Sequence, residues 1–105
     1  MTFLVSSRHD GSILAGMDAE RLLEVRNAIQ DGFDTGLLQQ SYAFVGGGSI
    51  WILEAENEAV VQTLLRSIGV KHAEVSPIVR MLDLIDAHLE HRISISPVSM
   101  NGPKA

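Results

Sequence analysis

Four consecutive apolar residues, Ile50-Trp51-Ile52-Leu53, follow three glycines and a serine, and no other stretch limits the fold as strongly. Side chains of a strand alternate between two faces, so an unbroken apolar run describes a strand covered on both of them. The chain has 105 residues, enough for one core and too few for two. Its own helices can cover one face of a sheet of that size. The second face then calls for another chain, and sheet-on-sheet pairing of two copies through a two-fold interface is the expected solution.

The remaining elements follow from periodicity. Thr2 to Ser7 is short and apolar and breaks at Arg8-His9-Asp10-Gly11, which predicts a first strand and a polar turn. Between Asp18 and about Phe33, Leu22, Val25, Ile29 and Phe33 recur at spacings of three and four, the stripe of an amphipathic helix. Asp18 is its expected N-cap, and Gly32 and Gly36 are its expected stop signals. Leu37 to Val45 and Ser49 to Glu54 predict a hairpin closed by Gly46-Gly47-Gly48. Asn57 caps a second helix with Val60, Val61, Leu64, Leu65 and Ile68 on one face, and Gly69 ends it. Lys71 to Ile78 predicts a fourth strand, in which Pro77 marks an end or an edge. A third helix, Met81 to Ile93, carries Leu82, Ile85, Leu89 and Ile93. The order is β-α-β-β-α-β plus a C-terminal helix, the ferredoxin-like arrangement of the α+β class. Residues 1–93 form one domain in this reading, and the Ser/Pro/Gly-containing segment 94–105 is a loose tail.

Composition narrows the chemistry. Eight Lys and Arg against 13 Asp and Glu leave a net charge of -5 with no basic cluster, which disfavours nucleic acid as a partner. There is no cysteine, so disulfides, thiolate nucleophiles and Cys-held metals are excluded. No apolar run approaches the roughly 20 residues that span a bilayer. The N-terminus lacks the pattern of a signal peptide, and the expectation is a cytoplasmic protein that does not contact membranes.

Gly16-Met17-Asp18, the glycine turn leading into Ser49-Ile50-Trp51-Ile52-Leu53-Glu54-Ala55, the helix Glu58 to Ile68 and the strand Ala73-Glu74-Val75-Ser76-Pro77-Ile78 together resemble the muconolactone isomerase family. The likeness runs from Gly16 to Ile78. It implies a dimeric α+β barrel in which two ferredoxin-like units pack sheet to sheet. It also implies an isomerase that moves a double bond in an unsaturated lactone by proton transfer, without a cofactor. The wider superfamily holds cofactor-free monooxygenases, lyases and proteins without catalysis, and fold alone does not transfer a reaction.

Several residues are candidates for such chemistry. Arg8-His9-Asp10, at the end of the first strand, pairs a guanidinium able to hold a carboxylate with a proton-transfer imidazole; the alternative is an exposed polar turn. His72 alternates onto one side with Glu74 and Ser76 and would be an acid/base partner if that side faces inward; otherwise it sits in water at a strand end. Tyr42 and Trp51, each the single residue of its type, are candidates to line a small-molecule pocket, with core packing as the rival role. Arg26, on the first helix, is a candidate carboxylate ligand or a solvated surface residue. The expected roles are therefore His9 or His72 as proton shuttle, Tyr42 as hydrogen-bond donor to a developing enolate, and Arg8, Arg26 and Trp51 as substrate-binding residues. Gly46-Gly47-Gly48 precedes a strand and not a helix, which argues against a phosphate loop. His88 and His91 lack a convincing third ligand, and no metal is expected.

Overall fold

The computed structural model of the protein describes residues 1–95. Strand β1 (Thr2–Arg8) lies at the centre of a four-stranded antiparallel sheet. It pairs on one side with β3 (Gly48–Glu54) and on the other with β4 (Glu74–Ile78), while β2 (Leu38–Ala43) flanks β3, giving the order β2-β3-β1-β4. Strand alternation sorts the side chains cleanly. Phe3, Val5 and Ser7 are buried on one face, directly opposite Leu53, Trp51 and Ser49 of β3. Leu4 and Ser6 face the other way, opposite Ile52 and Ile50.

Two helices cover the first of these faces. In α1 (Ala19–Asp34) the carboxylate of Asp18 accepts the Arg21 backbone N–H at 2.8 Å, the cap that the sequence predicts. In α2 (Glu58–Ile68) Asn57 accepts from the Val60 N–H at 3.2 Å, and Gly69 ends the helix in the left-handed region at φ 79°. Val25 of α1 and Val61, Leu65 and Ile68 of α2 close the core against Phe3, Val5, Leu38, Trp51 and Leu53. The element order and the antiparallel sheet are those of an α+β fold compatible with the ferredoxin-like arrangement.

Some local expectations give way to packing. Gly32, expected as a stop signal, is buried inside α1, where a Cβ would lie 3.3 Å from the Cβ of Leu38. It lets the helix approach β2, and the turn itself falls at Gly36, φ 82°. Of the expected α1 stripe, Val25 is buried and Ile29 half-buried, but Leu22 and Phe33 remain exposed because α1 meets the body along a narrow seam beside α2. The hairpin strand β2 is shorter than predicted and carries a bulge between Leu38 and Gln40. The fourth strand starts at Glu74 and not at Lys71, since His72 takes a left-handed conformation, φ 54°, that a strand cannot contain. Helix α3 (Met81–Ile95) runs two residues past the predicted end. Ser94 and Ile95 of the expected tail are thus helical, and residues 96–105 lie outside the described residues. Every α3 side chain from Met81 to Arg92 is exposed, including Leu82, Ile85 and Leu89.

Candidate functional site

Moving along the inner face from β1's start to its end, the side chains change from Phe3 and Val5 to Ser7, and on β3 from Leu53 and Trp51 to Ser49. Small residues replace large ones at one end of the sheet, and a cavity of about 180 Å³ opens there. Ser7, Ser41, Ser49 and Trp51 form its sheet side. Val25 and Ile29 of α1, with Ile68 and Val70 around the end of α2, supply apolar walls, and Ile13, Leu14 and Met17 of the segment before α1 close another side. His9 and Lys71 also line it. A cavity near 150 Å³ accommodates benzene, so this one suits a single ring with short substituents or a compact fused pair.

Hydrogen bonds fix the polar end. The Trp51 indole N–H donates to Ser49 Oγ at 2.7 Å, and the Ser7 hydroxyl donates to the Lys71 carbonyl at 2.9 Å. Among the described residues, no buried side-chain polar atom lacks a partner. The backbone around His9 is held by the β2–β3 turn: Gly11 N–H donates to the Gly46 carbonyl at 3.0 Å. Gly47 and Gly48 have φ of 120° and 103°. A Cβ on Gly47 would collide with the carbonyl oxygens of His9 and Gly11, and one on Gly48 with that of Ser7. Only glycine permits this approach.

The sequence candidates separate. His9 and Trp51 line the cavity, Trp51 as a buried wall that also belongs to the core. Tyr42 borders it, yet its register opposite Ile50 puts the ring on the other face of the sheet, 60% exposed, with its hydroxyl donating to Gln40 Oε1 at 3.3 Å. Arg8 is exposed and stacks its guanidinium 4.1 Å from the centre of the Phe44 ring, beside a second, open hollow that His9 and Asp10 share. Arg26 is exposed on α1, its Nη1 3.4 Å from Asn27 Oδ1, and is not part of the cavity lining. His72 is exposed in the turn before β4, outside the lining and off the strand that would have aligned it with Glu74.

The chain matches no protein-family model and no curated protein. The chemistry of the cavity itself therefore carries the functional reading. Among the described residues no group of three or more His, Asp or Glu side chains is placed to hold a metal, and no helix is long and apolar enough to cross a membrane.

Ser7, Ser12, Ser41, Ser49 and Lys71 are polar lining residues that sequence reasoning passed over. The signal was present for two of them. Ser7 continues the phase of Phe3 and Val5, and Ser49 that of Trp51 and Leu53, so each is a hydroxyl at a core-facing position.

Proposed function

We propose that the protein binds a small oxygenated ring compound in this cavity and moves a proton on it without a cofactor, as the resemblance to muconolactone isomerase suggests. The supporting observation is the apolar cavity with His9 among its walls and serine hydroxyls at one end. In this reading His9 takes a proton from a carbon activated by the substrate carbonyl. It returns the proton further along the conjugated system, so the double bond shifts and nothing is gained or lost. An imidazole nitrogen can both accept and return a proton, which suits both halves of that exchange. Arg8 and Arg26 stand outside the lining, and a neutral lactone needs no cationic partner.

Proton exchange in D2O tests this. Unsaturated five-membered lactones incubated with the protein should gain deuterium at the carbons flanking the double bond, and His9→Ala should slow that incorporation about 100-fold or more. Equal rates for His9→Ala and the parent protein would remove the assignment.

The partner is a second copy of the chain. Leu4, Ile50, Ile52 and Ile78 are half-buried and Tyr42 exposed on the sheet face opposite the helices, and no described helix covers it. Two such faces packed about 10 Å apart would form the barrel of the resembling family. Sedimentation should give a dimer, and Ile52→Lys should return a monomer.

A further inference from the structure

Deepening the cavity reading, and resting on it, the geometry points to a ligand that carries a hydrogen-bond acceptor and a donor side by side, a ring carbonyl next to an N–H or O–H. Two hydrogen bonds at the polar end have directions set by their partners. An indole N–H only donates, so Ser49 must accept from Trp51, which leaves Ser49 its hydrogen to offer, beside one remaining lone pair. A backbone carbonyl only accepts, so Ser7 must donate to Lys71, which leaves Ser7 with lone pairs alone. Ser7 and Ser49 are direct partners across β1 and β3 on the inner face, where Cβ atoms stand about 5 Å apart. The cavity therefore meets a ligand with a free O–H donor at Ser49 beside an oxygen at Ser7 that can only accept. A neutral cyclic amide or a hydroxyl-bearing cyclic ketone or lactone matches both. A carboxylate, which only accepts, would face the lone pairs of Ser7.

Three probes of nearly equal size separate the terms: oxindole (carbonyl and N–H), 2-coumaranone (carbonyl and ring oxygen) and indane (hydrocarbon). Titrations of the full chain, followed by Trp51 fluorescence and ligand-observed NMR, should rank oxindole about fivefold tighter than 2-coumaranone, the gain from one net neutral hydrogen bond. Ser49→Ala should weaken both carbonyl compounds about fivefold and leave indane unchanged. Ser49→Thr keeps the hydroxyl and a strand-compatible side chain and should retain the order, which separates lost donation from a disturbed fold. Ser7→Ala should erase the gap between oxindole and 2-coumaranone. If 2-coumaranone binds as tightly as oxindole, or Ser49→Ala leaves both unaffected while indane binds, the inference is overturned and the cavity reading survives. If no probe binds, both fall. Deuterium exchange that depends on His9 without a preference for the N–H probe would keep the proton-transfer reading and discard only this one.

Discussion

The two ends of the sheet's inner face obey one alternation and do opposite things. At the end built from Phe3, Val5 and Leu53, with Leu38 alongside, large side chains fill the space against α1 and α2, and Val5 and Leu53 have no exposure at all. At the other end Ser7 and Ser49 face each other, with Ser41 one row back opposite Trp51, and these short inward-facing side chains leave the cavity unfilled. The difference is side-chain volume, not backbone. A core becomes a cavity here by shortening three side chains in phase, and the packed half stabilises the half that is hollow.

Several changes test this contrast, in falling order of effect. Leu53→Ala strikes the packed end, and urea unfolding should show a loss of about 3 kcal/mol, typical of a fully buried leucine truncated to alanine. Gly47→Ala strikes the clamp at the hollow end. Equilibrium unfolding should register a loss of about 2 kcal/mol from left-handed strain, with lost ligand binding as the His9 and Gly11 carbonyls are pushed aside. Ser41→Val should sharpen the contrast, because it adds apolar bulk to the cavity side without removing a hydrogen bond to another residue. Stability should change by less than about 1 kcal/mol, as for a tolerated packing change, while calorimetry shows weaker binding of ring compounds.

The smallest effect concerns pH. The Glu54 carboxyl is held below its ordinary value of 4.5, first by the hydrogen bond from the Met1 ammonium at 2.7 Å and then by the Thr2 hydroxyl at 2.6 Å. A depressed folded-state value means that this contribution is present above 4.5 and fades as pH falls through the folded value. Glu54→Gln should flatten the acid side of the stability profile slightly and leave neutral ligand binding untouched, since Glu54 is exposed at the end of β3 away from the cavity.

Much of the packed end was legible in the sequence. The caps Asp18 and Asn57, the Gly69 terminator and the apolar phases of the central strands are local signals with local causes, and each element forms where those signals stand. The hollow end was less legible because its meaning is relational. A serine at position 7 or 49 announces a site only when the strands are set in register and both are seen to face the helices. His9 was visible as a polar residue after a strand, but its place beside the cavity depends on the β2–β3 turn reaching across to hold Gly11. His72 shows the opposite case. Its alternation with Glu74 exists only on paper, because one left-handed residue ends the strand before the pattern begins.

The clamp formed by Gly47 and Gly48 carries a consequence for how such a protein can diversify. The loop that holds His9 is fixed by main chain resting on main chain, so its position depends on two residues without side chains. The apolar walls of the cavity, Ile13, Leu14, Ile29 and Val70 among them, belong to other segments. Substitutions there can reshape the cavity while the frame around His9 stays where it is. Cavity shape and loop frame are thereby separately heritable traits of this fold.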